Sequence, residues 1–306
     1  MPIKIPNKLP ARKQLEKEQI QLISSETALT QDIRPMKVLL LNLMPKKRET
    51  EVQFARLLGN SPLQIELTLM TTASYIPTNE EKGYLEEFYF KLNDIKNHFF
   101  DALIITGAPV ETLPFEKVNY WDELKEIIDW SLTHVFQRMG VCWGAQALLY
   151  YRYSIPKHQL KDKIFGVFDH QINPARLRLM QGFTDIFPMP ISRYTETRYA
   201  DIKKIQSIDV LAESSSTGIG MIIDNQTDDL FIFNHLEYDV NTLDQEYKRD
   251  LEVKKNIQLP HNYYPDDDFK NTPLNKWRPF AFLLFANWVN QLYQKTPYDL
   301  TSLAKQ

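Results

Sequence analysis

The chain has 306 residues, of which 43% are hydrophobic and 25% charged, with 36 Lys+Arg against 39 Asp+Glu for a net charge of −3 and a single cysteine. This balance excludes the strong positive field of a general nucleic-acid binder, and one cysteine excludes an intrachain disulfide and any multi-thiolate zinc or iron–sulfur centre. The longest apolar runs, at 38–44 and 279–289, fall short of the roughly 18–20 residues of a membrane span. The start, Met1-Pro-Ile-Lys-Ile-Pro-Asn-Lys-Leu-Pro10, is broken by prolines and lacks the apolar segment of a signal peptide, so a cytoplasmic protein is expected.

Residues 1–36 read as an N-terminal arm with one helix near 11–21, and 37–306 as a single domain. Lys37-Val-Leu-Leu-Leu-Asn-Leu-Met44 is a continuous apolar run of the kind found in parallel strands buried on both faces. Val52, Leu57 and Leu58 follow at helical spacing, and Leu63, Ile65, Leu67 and Leu69 alternate with polar residues as a second strand. Phe88, Leu92, Ile95 and Phe99 trace the stripe of an amphipathic helix. Ala102-Leu-Ile-Ile-Thr106 is a third strand stopping at Gly107; a helix with Leu124, Ile127, Ile128 and Leu132 facing inward follows, and a fourth strand over 134–141 runs into Cys142. Strands alternating with helices imply a mostly parallel α/β sheet covered on both faces. Beyond it, 220–223 and 230–233 form a hairpin, 242–255 a charged helix with Thr242 as N-cap, 262–279 a long loop, and 280–293 a largely apolar closing helix.

Three of the nine glycines, Gly107, Gly140 and Gly144, fall at the carboxyl ends of two of these strands, the edge where open α/β sheets bind ligands. Gly140-Val-Cys142-Trp-Gly144 is a strand–turn–helix with glycine two before and two after a nucleophile, an elbow carrying cysteine in place of serine. The dipole of the following helix favours the thiolate. A lone cysteine is most often a buried packing residue; the paired glycines and the strand–helix setting argue for a nucleophile here. Of the six histidines, His235 is delivered by the apolar strand Leu230-Phe-Ile-Phe233, and Glu237, on the same side in extended geometry, would orient it. His170, after another strand, is the competing base. No HExxH or clustered His/Cys pattern supports a metal site.

The G-x-C-x-G elbow with His-x-Glu following 93 positions after the cysteine resembles the class I glutamine amidotransferase fold, a flavodoxin-like sheet with helices on both faces. Asn42-Leu-Met-Pro-Lys-Lys47, Leu57-Leu-Gly-Asn-Ser-Pro-Leu-Gln64, Thr106-Gly-Ala-Pro-Val-Glu111, Ser192-Arg-Tyr-Thr-Glu196, His235-Leu-Glu-Tyr-Asp239 and Gln245-Glu-Tyr-Lys-Arg-Asp250 narrow the resemblance to the amidotransferase-like homoserine O-acyltransferases of methionine biosynthesis, over essentially the whole chain. The resemblance implies Cys142 as acyl-thioester nucleophile, His235 as proton acceptor, Glu237 as its partner, and Lys163, Ser192 and Arg249 as substrate-binding residues. It further implies acyl-CoA and L-homoserine as substrates, no resident cofactor or metal, and a homodimer. The sequence departs from the family pattern at Thr184, Ile191 and Asn234.

For the oxyanion hole, the Trp143 N–H follows the nucleophile, and Ala108 is the matching donor of the 107–110 turn, where Pro109 cannot donate. Glycine at position 111 accompanies succinyl transfer in the family. Glu111 here would repel a succinyl carboxylate and occupy its space, so acetyl-CoA is the expected donor. The alternatives are succinyl transfer, glutamine hydrolysis by the same triad with a synthetase partner, and a non-catalytic module on the same fold.

Overall fold

The computed structural model describes residues 3–18, 22–23, 34–74, 83–173, 178–253 and 257–305. Their strands are β1 (Ile3–Lys4), β2 (Leu22–Ile23), β3 (Met36–Leu41), β4 (Ile65–Met70), β5 (Phe100–Ile105), β6 (Val135–Val141), β7 (His158–Ile172), β8 (Ile186–Glu196), β9 (Ile208–Ser214), β10 (Gly218–Asp224) and β11 (Leu230–Ile232). The helices are α1 (Ala11–Lys17), α2 (Lys47–Leu58), α3 (Tyr84–Phe88), α4 (Leu92–Ile95), α5 (Trp121–His134), α6 (Trp143–Tyr153), α7 (Tyr199–Ile202), α8 (Thr242–Glu252) and α9 (Arg278–Lys295). The strands form one sheet in the order β2-β1-β4-β3-β5-β6-β11-β10-β9-β7-β8. Pairing is parallel from β2 through β11 and antiparallel from there to β8.

The leucine-rich strand at the sheet centre is sorted residue by residue between two cores, because successive side chains point to opposite faces. Val38, Leu40, Ala102 and Ile104 pack with Phe54 and Leu58 of α2 and Phe285 and Trp288 of α9. Leu39, Leu41, Leu103 and Ile105 pack on the other face with Leu124, Ile127 and Ile128 of α5 and Leu148 and Leu149 of α6. The expected strands and crossover helices thus stand, with helices on both faces.

Three expectations differ in detail, and one further feature has no counterpart among them. The helix over 88–99 does not form. Phe90 instead exchanges backbone hydrogen bonds with the β4 segment, its N–H to Leu69 O (2.9 Å) and its carbonyl from Thr71 N–H (3.0 Å), which divides the stripe into α3 and α4. The described part of the N-terminal arm is built into the sheet and core: β1 pairs with β4, and Ile5, Leu9, Ala11 and Leu15 are buried against α2, with α1 ending at Lys17. Residues 19–21, the end of the expected helix, lie outside the described residues. Thr242 is the first residue of α8 rather than its cap, and its hydroxyl accepts from Gln53 Nε2 at 3.4 Å. Lastly, β7 and β8 form a long antiparallel hairpin with a register shift between Gln159 and Ile164. The sequence showed no such feature, and this hairpin carries Lys163 and Ser192 toward the carboxyl ends of the parallel strands.

Candidate active site

Cys142 sits between β6 and α6 with φ +51° and ψ −118°, a backbone conformation rare for an L-residue. Its surroundings require it. A Cβ on Gly140 would lie 2.5 Å from Ala145 Cα, and one on Gly144 2.5 Å from the carbonyl oxygens of Ile105 and Thr106, so any side chain at either position would push the helix off the sheet. The turn is held by Cys142 N–H donating to Ile232 O (2.7 Å) and by Cys142 O accepting from Ala145 and Gln146 N–H. This places the sulfur at the positive end of α6. Gly107, closing β5, abuts the same point: a Cβ there would be 3.4 Å from Cys142 Cβ and 3.6 Å from His235 Cε1.

His235 and Glu237 follow β11 in a turn, not the extended strand expected. Tyr238 N–H donates to His235 O (3.3 Å), and this reversal, rather than strand alternation, brings Glu237 back onto the imidazole. His235 Nδ1–H donates to Glu237 Oε1 at 2.6 Å, and both residues are buried. The imidazole stacks on Tyr238 with ring centres 4.1 Å apart. Burial alone would disfavour its charge, but Cys142 and Glu237, each through its charge and a hydrogen bond, hold the His235 pKa well above the usual histidine value. Cysteine, histidine and carboxylate thus form one linked chain, leaving Nε2 toward the sulfur.

The competing His170 has a different setting. It is buried within β7; its Nδ1–H donates to Phe168 O (2.9 Å), and Asn234 Nδ2 donates to its Nε2 (2.9 Å). Burial lowers its pKa to about 4. A neutral His170 therefore anchors Asn234, one of the departures from the family pattern, immediately before His235.

Cys142 and His235 open into a cleft of about 370 Å³ that is also lined by Ala108, Glu111, Lys163, Ser192, Arg249 and three acidic or phenolic groups the sequence reading did not place there: Tyr238, Glu246 and Asp250. Glu246 Oε2 accepts from the Ser192 hydroxyl (2.5 Å) and its Oε1 from the Tyr238 hydroxyl (2.9 Å). Lys163 Nζ is 3.3 Å from Asp250 and 3.6 Å from Glu246, and 4.0 Å from the Phe165 ring centre. Arg249 binds Asp250 Oδ1 through Nε and Nη2 (3.0 and 2.9 Å), with its side chain 60% exposed and able to turn toward a ligand. Burial works against ionisation of Asp250, but the Arg249 hydrogen bond and the nearby Lys163 and Arg249 charges outweigh it and lower its pKa. The signal for Glu246 and Asp250 was present as the i, i+3, i+4 spacing of 246, 249 and 250 on one helix face.

Glu111 reaches across to β8. Its carboxylate accepts from Tyr194 N–H (2.8 Å) and lies 3.4 Å from the Thr195 hydroxyl; burial raises its pKa, offset in part by the Tyr194 bond. Lys157 Nζ braces this turn by donating to the carbonyl oxygens of Glu111 and Leu113, both at 2.6 Å, and burial brings its pKa down to about 8. Ala108 is buried at the cleft beside Gly107. Trp143 opens α6, so its N–H is among the first of the helix, which have no intrahelical partner, while its side chain packs against Phe115 and Tyr120. Among the described residues no group of three or more His, Cys, Asp or Glu is disposed to hold a metal ion, and no helix is long and apolar enough to cross a membrane.

Comparison with known proteins places this geometry in context. The chain is 49% identical over 304 residues to the homoserine O-acetyltransferase of Clostridium beijerinckii, covering 99% of this chain and 100% of that one. It is 48% identical over 306 residues to that of Allorhizobium ampelinum (100% and 99%) and 47% over 300 residues to that of Geobacillus kaustophilus (98% and 99%). Among solved structures it resembles in fold a glutamine amidotransferase of Thermotoga maritima, with TM-score 0.58 and 12% identity over 86% of this chain and 100% of that one. A glutamine amidotransferase of Methylobacillus flagellatus gives TM-score 0.53 and 10% identity over 88% and 99%. These identities speak to the fold alone: the class I glutamine amidotransferase architecture expected from the elbow. The homoserine O-succinyltransferase family model matches residues 2–298, and the chain belongs to that family of acyltransferases.

Proposed function

We propose that this protein is a homoserine O-acetyltransferase that moves acetyl from acetyl-CoA to the γ-hydroxyl of L-homoserine through a thioester on Cys142. The observation that carries this reading is the Cys142–His235–Glu237 chain opening into a small cleft with fixed charges of both signs, in a protein whose full-length relatives are homoserine O-acetyltransferases. An amino acid with a carboxylate and an ammonium fits such a cleft. The exposed fork of Arg249 suits the carboxylate, and Glu246, already bound to Ser192 and Tyr238, suits the ammonium.

In the first half-reaction the Cys142 sulfur attacks the acetyl carbonyl carbon. The C–S bond to the enzyme forms, the C–S bond to CoA breaks, and the departing thiolate takes the proton held by His235. Thioester is exchanged for thioester at little net cost. In the second half-reaction the γ-hydroxyl oxygen attacks the acyl carbon while its proton passes to His235 Nε2, and Cys142 leaves as thiolate. Glu237 holds the imidazole and supports its positive charge in both halves. The N–H groups of Trp143 and Ala108 are assigned to the tetrahedral oxyanion. Acetyl-CoA enters as co-substrate, and no resident cofactor takes part in these steps. Acetyl is favoured over succinyl by the Glu111 carboxylate in the same cleft. We further place the enzyme in the cytoplasm as a homodimer.

Intact-mass measurement tests the reading. Incubation with acetyl-CoA should add one acetyl group, and homoserine should remove it with formation of O-acetylhomoserine. Absence of the adduct, with ammonia released from glutamine instead, would refute it in favour of amidotransferase chemistry.

A further inference from the structure

The thioester of an acyl-CoA ends a long arm: two amides and a gem-dimethyl carbon, then a pyrophosphate and a phosphorylated nucleoside. The arm must leave the nucleophile by some route, and the cleft offers two unlike sides. On the side of β11, β7 and β8, the walls carry the charged groups Lys163, Glu246, Arg249 and Asp250, already paired with one another, and Ser192, bonded to Glu246. An uncharged arm laid there would separate ion pairs and offer few hydrogen bonds in return. The other side, toward β3 and β5, is bounded by Pro45 and Pro109.

These two prolines also line a second, narrower groove of about 100 Å³ whose walls include Leu43, Val110, Leu113 and Lys117. The groove therefore adjoins the catalytic cleft across the shared wall of Pro45 and Pro109. It is mostly apolar, and Leu113 is 43% exposed at its lip, an apolar side chain that a ligand would cover. Its wall is rigidly held, since Lys157 binds the carbonyl oxygens of Glu111 and Leu113 and lies 4.3 Å from the Phe115 ring centre. Lys117 supplies a cation at the rim.

We infer that this groove is the binding site for the pantetheine arm of the acyl donor, with Lys117 facing the pyrophosphate. The inference rests on the acetyl-transfer reading above. It divides the labour of the cleft: the donor arm runs over Pro45, Pro109 and Leu113, while the amino-acid acceptor uses the charged wall, so that the two substrates reach one sulfur from different sides.

The test compares three acetyl thioesters of decreasing length: acetyl-CoA, acetyl-pantetheine and S-acetyl-N-acetylcysteamine. Lys117→Glu should lower kcat/KM for acetyl-CoA about five- to tenfold and leave the two uncharged donors unchanged. Leu113→Asp should lower kcat/KM for acetyl-CoA and acetyl-pantetheine about tenfold while leaving S-acetyl-N-acetylcysteamine unchanged. In both variants kcat/KM for homoserine should match wild type. The short thioester reports an intact fold and nucleophile in each variant. Equal losses for all three donors, or no loss for acetyl-CoA in either variant, would overturn the assignment and leave the groove to some other occupant, such as a protein partner. Failure of the wild-type enzyme with every thioester would refute the acetyl-transfer reading itself, and the groove assignment with it.

Discussion

Replacing Glu111 by glycine should convert the enzyme toward succinyl-CoA, and the structure states why. The Glu111 carboxylate occupies the cleft with Tyr194 N–H at 2.8 Å and the Thr195 hydroxyl at 3.4 Å. A succinyl group on Cys142 carries its own carboxylate into the same cleft. Two such charges ~4 Å apart repel by about 4 kcal/mol at an effective dielectric near 20. Solvent at the cleft mouth screens part of this repulsion. The net penalty is then about 2–3 kcal/mol, or roughly 10²-fold in relative kcat/KM. Removing the side chain clears that volume and frees the Tyr194 N–H, which can bind the incoming succinyl carboxylate. Glu111→Gly should therefore raise the succinyl-CoA to acetyl-CoA ratio of kcat/KM by about 10²-fold. Glu111→Gln, which keeps the volume but drops the charge, should move it only part of the way. Both ratios are read from initial rates at saturating homoserine. A wild-type preference for succinyl-CoA would refute the donor assignment, and an unchanged ratio in Glu111→Gly would refute Glu111 as its cause.

Cys142→Ala should abolish the acetyl mass increment without a background signal, since the chain holds no other cysteine; a full adduct in the variant would end the thioester mechanism. His235→Asn should lower kcat about 10²–10⁴-fold, the range of a positioned general base, and activity surviving in it but not in His170→Gln would mean the wrong histidine is assigned. Because the Glu237 charge helps raise the His235 pKa, Glu237→Gln should move the His235 titration, followed by NMR of the ring, to lower pH, and an unmoved titration would remove Glu237 as its partner. His170, with its pKa near 4, stays neutral in the fold while the unfolded chain takes up a proton below about 6.5. The unfolded state therefore binds more protons in this window, and stability falls by up to about 3 kcal/mol as pH drops from 6.5 to 4. Denaturant titrations of His170→Gln should show a correspondingly shallower slope, and a slope equal to that of wild type would refute the buried-neutral assignment.

The cysteine turn was legible because its requirements are local. A cysteine at φ +51° between strand and helix needs small neighbours at fixed offsets, and Gly140 and Gly144 record that need in the chain. The same holds for the parallel strands, whose burial on both faces demands continuous apolar runs such as the one beginning at Val38. What such a run conceals is which leucine faces which helix layer; Leu39 and Leu40 look alike in sequence and part only when the sheet is covered on both sides. The 88–99 stripe failed because the backbone of Phe90 found partners on β4, a competitor that helical periodicity does not register.

In the site, the sequence named His235 and Glu237, but their 2.6 Å contact depends on a turn closed by Tyr238 rather than on strand alternation. Lys163 and Ser192 came only by resemblance, because β7 is half-exposed and breaks register, and the buried positions beside Ser192 on β8 include the polar Arg193 and Thr195, leaving no clean apolar period of two. The union of Ser192, Tyr238 and Glu246 from three separate segments is decided by tertiary packing alone. Local backbone strain and burial on both faces leave marks along the chain. The convergence of short polar side chains from distant segments leaves none, since each of them by itself is an ordinary residue on a strand, turn or helix face.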